Sequence, residues 1–442
     1  MNSQNIREDV GSPPFQTLDQ WLTWQENLAP VEIDLGLERC RKVADKLGID
    51  VGGSVVVTVA GTNGKGSSVT MLEQIWISAG YKVAAYTSPH MIAYNERIRI
   101  GGVPVPSAQI CAAFEDIERH RDDTYLTYFE YGTLAALKLF QDYQPDVILL
   151  EVGLGGRLDA VNIIDPDIAL ITSIGIDHVE FLGEDRESIG REKAGIMRTN
   201  RPAVCSDPEV PGSIVETARD LNADLHLLGV EFQFVEHPEA WDWWNKQTQL
   251  FSLPKPNLEG DYQFRNASGV LQVVDALQSR LPVARSVIEN MLRTVTLWGR
   301  FQTFPGDIEY IFDVAHNVQA VEQFVETLKK HGASGNTHLV LGMLRTKDRA
   351  AVMQVLKPVV DKWYLASVNA RRGTSSGELK ATLDEVTSKA QAELFPSVSS
   401  ALKAAEAHAR PGDRIIALGS FLVVSAALRH VNKADRYSID DV

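Results

Sequence analysis

The sequence predicts an α/β fold with two domains, a doubly wound N-terminal domain and a smaller, Rossmann-like C-terminal domain. Apolar, β-branched runs of strand length alternate with stretches of helical periodicity. A second alternating series begins near Ile308. The 442 residues exceed the roughly 100–200 of one ordinary domain. We place the boundary near Leu297, within "TVTLWGRFQ", which gives domains 1–296 and 297–442.

The N-terminal series begins with "SVVVTVAG", a run typical of a strand buried on both faces of a parallel sheet. A helix follows in "SSVTMLEQIWISAG" and ends at Gly80. Three more strands are predicted in "KVAAYTS", "PDVILLEVG" and "DIALITSIG", with a helix in "YFEYGTLAALKLFQDY" between the first two. Ligands of doubly wound sheets bind at the carboxyl ends of the strands, so the residues that follow each strand are candidates for function.

The segment 232–264 interrupts this alternation, because it is rich in aromatic residues, proline and polar residues. We expect an irregular or antiparallel edge segment here. Its tryptophans either form a platform for a ligand or pack locally, and local packing is favoured for Trp241, Trp243 and Trp244. A helix resumes in "NASGVLQVVDALQSRL". The C-terminal strands are predicted in "IEYIFDVAH", "THLVLGML", "KWYLASV" and "DRIIALGS".

Composition excludes several classes of function. The formal net charge of -15 argues against nucleic-acid binding, which needs a basic surface. The three cysteines are scattered and form no C-x-x-C pair, which indicates a reducing compartment. The polar N-terminus lacks the apolar core of a signal peptide, and no apolar run approaches the ~20 residues of a membrane span. We expect a cytoplasmic monomer that binds neither nucleic acid nor membrane.

A phosphate-binding loop is predicted in "VTVAGTNGKGSSVT", residues 57–70, which makes the first domain a P-loop domain. The loop is shorter than the common G-x-x-x-x-G-K-[ST] pattern, and Gly66 separates Lys65 from the first hydroxyl, Ser67. Its glycines allow backbone N–H groups to surround an anion. Lys65 supplies a charge for the β- and γ-phosphates, and Ser67 or Ser68 a hydroxyl. A merely solvated glycine turn is disfavoured by the strand before the loop and the helix after it.

Four further residues follow strand ends or lie nearby. Glu151 ends a buried strand and is suited to hold Mg²⁺. Ser88 could ligate the same ion, although a Ser-Pro turn explains it equally well. His178, beside Asp177, is a candidate metal ligand. Lys193 either contacts phosphate or is an ordinary surface lysine.

Other candidates lie around the same predicted crevice. Asp159 either accepts two hydrogen bonds from an amidine-like edge, such as that of a pterin, or caps a turn, and spacing alone does not separate these readings. Asn266 precedes the domain junction, Arg300 lies at it, and Asp313 ends a strand in "FDVAHN". Closure of the second domain would bring these groups to a nucleotide and exclude water.

Taken together, "GTNGKGSS", "SPH…ERIRI", "TYFEYGTLAAL", "LEVGLGGRLDAVNI", "TSIGIDH", "ESIGREKAGI", "GRFQ" and "FDVAHN" resemble the folylpolyglutamate synthase and dihydrofolate synthase family. That family belongs to the ATP-dependent Mur-type amide ligases. The resemblance runs from about Ile33 to the C-terminus. The block "TYFEYGTLAAL" is closest to the bifunctional bacterial members.

The resemblance implies a reaction and the residues that serve it. ATP phosphorylates a carboxylate of dihydropteroate or a reduced folate, and L-glutamate attacks the acyl phosphate, so that ADP and phosphate are released. Lys65, His178 and Lys193 would serve catalysis, with Lys193 carbamylated. Two Mg²⁺ ions are implied, the first on Ser88 and Glu151 and the second on His178. ATP would be bound by Asn63, Gly64, Lys65, Gly66, Ser67, Asn266, Arg300 and Asp313. The dihydropteroate pocket would comprise Ile33, Asp34, Leu35, Thr127, Tyr128, Phe129, Glu130, Leu158, Asp159 and Ala160.

Two departures from the family pattern and two alternatives remain. Tyr262 stands where many members have histidine, and "AHNVQA" lacks the proline that commonly follows "AHN". A ligase acting on a cell-wall precursor is the nearest alternative, which the "IDLGLER" and "TYFEYGT" blocks disfavour. A nucleotide-dependent switch without covalent chemistry is disfavoured by Glu151, His178 and Lys193, because a switch needs one Mg²⁺ site rather than two.

Overall fold

The computed structural model describes residues 13–28, 33–332, 335–387 and 390–431. An eight-stranded sheet forms the centre of the N-terminal region, in the order β4-β3-β2-β5-β1-β6-β7-β8. The six strands from β2 to β8 in that order run parallel, and the β3–β4 hairpin pairs antiparallel at one edge. The strands are β1 Val55–Ala60, β2 Val83–Tyr86, β3 Ile98–Ile100, β4 Val103–Pro104, β5 Val147–Glu151, β6 Ile168–Ile171, β7 Pro202–Cys205 and β8 Asp224–Leu227.

Helices cover both faces of this sheet. They are α1 Leu18–Leu28, α2 Glu38–Leu47, α3 Lys65–Ser78, α4 Ser107–Arg121, α5 Tyr128–Tyr143, α6 Val179–Leu182, α7 Arg186–Ala194, α8 Gly212–Asp220, α9 Tyr262–Ala276 and α10 Arg285–Thr294. Along β1, Val56 and Ala60 face one apolar cluster with α1, α2, α4 and α5, whereas Val57 and Val59 face a second with α3, α9 and α10. Burial on both faces explains why β1 reads as a continuous apolar run.

The aromatic segment forms a separate three-stranded antiparallel sheet, in the order β11-β10-β9. Its strands are β9 Phe232–Glu236, β10 Trp241–Asn245 and β11 Gln249–Leu253. Trp241 and Trp243 are fully buried against α9, and Trp241 Nε1 donates to Pro254 O at 2.9 Å. The expectation of antiparallel structure and local packing is confirmed, but the segment is not an edge of the main sheet.

A six-stranded sheet organises the C-terminal region, in the order β12-β13-β17-β14-β15-β16. Its first strand is antiparallel to the second and the others are parallel. The elements are β12 Gln302–Phe304, β13 Glu309–Asp313, α11 Val318–His331, β14 Thr337–Leu341, α12 Arg349–Leu356, β15 Lys362–Ala366, α13 Ser376–Val386, β16 Gln391–Phe395, α14 Val398–His408, β17 Arg414–Leu418 and α15 Phe421–His430. The two-sheet α/β prediction is confirmed, and the boundary at 296/297 stays a prediction.

The two regions contact each other through loops that follow strand ends. Met91, after β2, packs into the C-terminal cluster with Phe312 and Val424. Arg429 Nη2 donates to Ile92 O at 3.1 Å. Three short 3₁₀ turns occur at Tyr94–Arg97, Ala160–Ile163 and Lys357–Val359. Among the helices of the described ranges, none is both long and apolar enough to cross a membrane.

Candidate active site

The predicted phosphate loop joins β1 to α3. Gly64 precedes the helix with a φ of 90°, a left-handed conformation that glycine adopts without strain. A Cβ atom on Gly64 would lie 2.4 Å from Asn266 Oδ1. Helix α9 therefore approaches the loop backbone directly, which only glycine permits. The loop ends at the N-terminus of α3, where free N–H groups suit an anion.

Lys65 and Ser67 supply side chains at the start of α3. Lys65 Nζ donates to the carbonyl oxygens of Gly61 at 2.8 Å and Thr62 at 3.3 Å. Burial lowers the pKa of the Lys65 ammonium, although nearby carboxylates oppose this. Ser67 is 1% exposed, and its Oγ has no hydrogen-bond partner among the described residues. A buried hydroxyl without a partner is costly, so this atom is suited to receive a ligand.

Glu151 and Ser88 meet beside the loop, at the ends of β5 and β2. The Ser88 N–H donates to Glu151 Oε2 at 3.1 Å. Burial raises the pKa of Glu151, and the charge of Lys65 opposes the shift. A Cβ atom on Gly66 would lie 3.6 Å from Arg300 Nη2 and 3.9 Å from Glu151 Oε1. The carboxylate and the arginine of the second domain therefore flank the start of α3.

His178 and Asp177 form a second polar group with Lys347, which follows β14. Lys347 Nζ donates to Asp177 Oδ1 at 2.7 Å and Oδ2 at 2.9 Å, and lies 3.3 Å from His178 Nε2. Burial opposes ionisation of Asp177, but a hydrogen bond from His316 and the Lys347 charge hold its pKa well below the usual range. Burial lowers the pKa of His178 to about 4, helped by the Lys347 charge. His178 is therefore neutral at pH 7 and able to ligate a metal.

Lys193 lies near the end of α7 and is 3% exposed. Its ammonium has no hydrogen-bond or ion-pair partner within the described part of the chain. Burial lowers the pKa of Lys193 to about 7, and the charge of Lys65 adds to this effect. The surface-lysine reading of the sequence is wrong. A buried amine with a lowered pKa is partly neutral at pH 7 and available as a nucleophile.

Residues of the C-terminal region complete the opposite side. Asn63 Nδ2 donates to Gln319 Oε1 at 2.8 Å and Asn317 Oδ1 at 3.2 Å. Both oxygens of Asp313 accept backbone N–H groups at 2.7 Å, from Phe301 and Ala315. Burial raises the pKa of Asp313, and the nearby charge of Arg300 opposes this rise. The loop and the second domain are thus joined by direct side-chain hydrogen bonds.

A cavity of about 480 Å³ lies between the two regions. Of the predicted residues, it contains Asn63, Gly64, Lys65, Gly66, Ser67, Ser88, Glu151, His178, Lys193, Arg300 and Asp313. Asn266 instead lines a neighbouring cavity of about 270 Å³, which Asn63 and Gly64 also border. The structure therefore brings the predicted nucleotide and metal residues together. Their individual roles stay predictions.

The three predicted pterin-binding segments meet beside this cavity. The Gly36 N–H donates to Leu158 O at 3.3 Å. Arg39 pairs with Asp34 at 2.9 Å and Glu130 at 3.1 Å, and Tyr125 OH donates to Asp34. The Phe129 ring approaches to 2.7 Å from the position of a Cβ on Gly153, a residue of the cavity wall. Ile33, Leu35, Thr127, Tyr128 and Ala160 belong to the same three segments.

Asp159 occupies a structural position in this region. Its Oδ1 accepts the Val161 N–H at 3.0 Å and its Oδ2 the Leu154 N–H at 2.8 Å. Burial raises the pKa of Asp159 to about 6. Asp159 therefore caps a turn, which is one of the two roles that the sequence left open. A contact between Asp159 and a pterin stays a prediction. Among the described residues, no three His, Cys, Asp or Glu side chains cluster to hold a metal.

Comparison with known proteins identifies the family. The Mur ligase middle domain matches residues 59–209, and the Mur ligase glutamate ligase domain matches residues 299–421. The dihydrofolate synthase/folylpolyglutamate synthase of Escherichia coli (strain K12) is 43% identical over 94% of this chain and 96% of its own length. The chain belongs to the dihydrofolate synthase/folylpolyglutamate synthase family.

Solved structures of dihydrofolate synthase/folylpolyglutamate synthases share the fold. E. coli FolC in complex with DHPP and ADP superposes with a TM-score of 0.89 at 43% identity, over 95% of this chain and 99% of that chain. A bifunctional folylpolyglutamate synthase/dihydrofolate synthase with Mn, AMPPNP and L-glutamate bound gives a TM-score of 0.86 at 40% identity, over 94% and 98%. The family resemblance and the fold predicted from the sequence are confirmed.

Sequence reasoning missed several side chains that line the cavity or contact its predicted residues. Lys347, Asn317 and Gln319 contact the predicted residues directly, and Tyr262 lines both cavities. Lys347 follows β14 in "LGMLRTKD", so the rule that ligands bind after strand ends would have found it. Asn317 is the last residue of the "FDVAHN" motif, and Gln319 lies two residues after it. Their partners, however, lie on the other domain, which no local pattern indicates.

Proposed function

We propose that this protein is an ATP-dependent, ADP-forming carbon–nitrogen ligase. It joins L-glutamate to dihydropteroate to make dihydrofolate, and to reduced folates to make polyglutamates. One observation supports this proposal most directly. Lys65, Glu151 and Lys193 line the same cavity as Arg300 and Asp313 of the second domain. Membership of the dihydrofolate synthase/folylpolyglutamate synthase family supports the choice of substrates.

ATP is bound along the phosphate loop in this proposal. The N–H groups at the start of α3 donate hydrogen bonds to the phosphates, and Lys65 turns from the carbonyls of Gly61 and Thr62 to a phosphate oxygen. Arg300 reaches the same phosphates from the second domain. Asn266, in the adjoining cavity, contacts another part of the nucleotide.

The donors present fit Mg²⁺, which prefers oxygen ligands and keeps several waters. Ser67 has a buried hydroxyl without a partner among the described residues, and Glu151 and Ser88 line the same cavity. We assign Ser88 and Glu151 to one ion and neutral His178 to a second, with a carbamate on Lys193 adding an oxygen ligand. Bound Mg²⁺ would offset the phosphate charge. Lys347 must move from His178 Nε2, 3.3 Å away, before that nitrogen binds a metal.

The reaction proceeds in two steps. A carboxylate oxygen of the pteroate substrate attacks the γ-phosphorus, and the bond to the bridging oxygen breaks to release ADP. The amine nitrogen of L-glutamate then attacks the acyl carbon, loses a proton, and expels inorganic phosphate. Contacts such as Asn63–Gln319 hold the second domain over the loop and keep water from the acyl phosphate.

Phosphate release from ATP tests the proposal. The purified protein should release phosphate only when L-glutamate and dihydropteroate are both present, with one amide formed per phosphate. A UDP-linked peptide precursor should not replace dihydropteroate. Phosphate release that needs neither substrate would overturn the ligase assignment. The cytoplasmic location, the monomeric state and the absence of nucleic-acid partners stay predictions.

A further inference from the structure

Arg97 lies between the predicted pterin segments and the loop that carries Ser88. It ends the 3₁₀ turn Tyr94–Arg97, and its carbonyl accepts the N–H of Thr87, the residue before Ser88, at 2.9 Å. Its guanidinium carbon lies 5.3 Å from the ring centre of Tyr94 and 5.5 Å from that of Tyr128. Arg97 therefore contacts the loop that carries Ser88 through its carbonyl, and Tyr128 of the pterin segments through its side chain.

The charge of Arg97 lacks a protein counter-ion. Its Nε donates to His90 Nδ1 at 3.0 Å. Within the described ranges, no carboxylate forms an ion pair with Arg97, and its two Nη atoms donate no hydrogen bond. Nearby half-buried arginines differ, because Arg99 pairs with Glu73 at 2.8 Å and Arg39 pairs with Glu130 at 3.1 Å. A half-buried guanidinium with unused donors is suited to an anion from outside the chain.

We propose that Arg97 binds the carboxylate of the pteroate-type substrate, the group that the reaction activates. This inference rests on the proposed function. With the pterin ring in the segments that include Tyr128 and Phe129, the carboxylate must extend towards the cavity that holds Ser88 and Lys65. Arg97 contacts both parts, since its guanidinium lies over the Tyr128 ring and its carbonyl accepts the N–H of Thr87, next to Ser88. Its planar pair of Nη donors matches the two oxygens of a carboxylate, so it would set how far the substrate reaches towards the γ-phosphate.

Paired ligands separate this role from a structural one. Affinities are measured for dihydropteroate and for the same molecule without its carboxylate, in the wild-type protein and in Arg97→Ala. The wild type should bind the acid more tightly by roughly tenfold to a hundredfold, the range of a hydrogen bond to a charged group. Arg97→Ala should remove that preference and leave the affinity for ATP unchanged. Arg97→Lys should retain part of it, because the charge remains but the planar fork is lost.

Arg121 provides a matched control. It is also half-buried and lies over an aromatic ring, 5.9 Å from the centre of Trp24, but it pairs with Glu118. Arg121→Ala should keep the wild-type preference for the acid. Equal weakening of both ligands in Arg97→Ala, or no weakening of either, would overturn the assignment of Arg97 alone. Failure of the wild type to bind dihydropteroate would overturn the proposed function as well.

Discussion

The cavity has two walls that are built differently. The loop wall, formed by residues 61–67, Ser88 and Glu151, is held by contacts within the N-terminal region, such as Ser88 N–H to Glu151. The closure wall consists of Asp177 and His178, which line the cavity, and of three residues that bond to Asn63 or Asp177 from the other region, namely Asn317, Gln319 and Lys347. The loop wall is therefore preorganised for phosphate, whereas the closure wall exists only while the second domain is in place.

The loop wall should be the more sensitive to a single truncation. Lys65→Ala removes the only lysine at the start of α3, and no backbone group replaces its charge on the phosphates. We expect turnover to fall roughly 10³-fold, the upper range for loss of one preorganised donor. Phosphate release under saturating substrates measures this. Lys380→Ala serves as the control and should keep full turnover, because Lys380 is a partly exposed lysine on α13 that pairs with Asp384.

Lys193 lines the same cavity, where burial and the charge of Lys65 lower its pKa and the charge of Asp177 raises it. Lys193→Met keeps the length of the side chain but cannot form a carbamate. We expect turnover to fall roughly 10²-fold while ATP affinity is retained, because the loop wall is intact. Intact-mass measurement of the wild type should show a CO₂ adduct that is lost on acidification. Normal turnover of Lys193→Met would show that the reaction does not need a carbamate on Lys193.

The same substitution should change stability in a pH-dependent way. Burial lowers the pKa of Lys193 from 10.5 to about 7, so the unfolded chain binds a proton that the folded protein lacks between these values. Wild-type stability should therefore rise with pH across this window, by roughly 1.4 kcal/mol for each unit. Lys193→Met should be the more stable protein near pH 6, with a gain that shrinks towards pH 10. Urea unfolding in CO₂-free buffer tests this, and a gain that is constant with pH would contradict it.

The sequence predicts the loop wall far better than the closure wall. Gly64, Lys65 and Ser67 lie in one contiguous motif, and Glu151 ends a strand that its apolar run makes recognisable. Lys347 reaches Asp177 from 170 residues away, and its partner depends on how two sheets are arranged. Helices α1, α2 and α4 and the β3–β4 hairpin were not predicted either. Hydrophobic periodicity in the sequence identifies single helices and strands. It does not show how two domains pack, because that depends on the surfaces they bring into contact.

The pair Lys347–Asp177 tests whether the closure wall acts in the reaction or only in holding the domains together. Lys347→Met leaves the Asp177 carboxylate without its nearest cation, which should cost about 1.5–3 kcal/mol, or roughly tenfold to a hundredfold in turnover. Asp177→Asn removes the charge that needs a partner. In a double-mutant cycle the two changes should cost less together than the sum of each alone. Additive losses would show that the pair is not coupled during turnover.

Gln319 should give the smallest effect, because it contributes a neutral hydrogen bond to the closure wall. Gln319→Ala removes the 2.8 Å contact with Asn63 Nδ2, but Asn317 Oδ1 remains 3.2 Å from the same donor. A neutral hydrogen bond contributes about 0.5–1.5 kcal/mol, so we expect a threefold to tenfold loss in kcat/KM. If this bond keeps water from the acyl phosphate, the variant should also release more phosphate than amide. Release that stays matched to amide, with a lower rate, would assign Gln319 to domain positioning rather than to the exclusion of water.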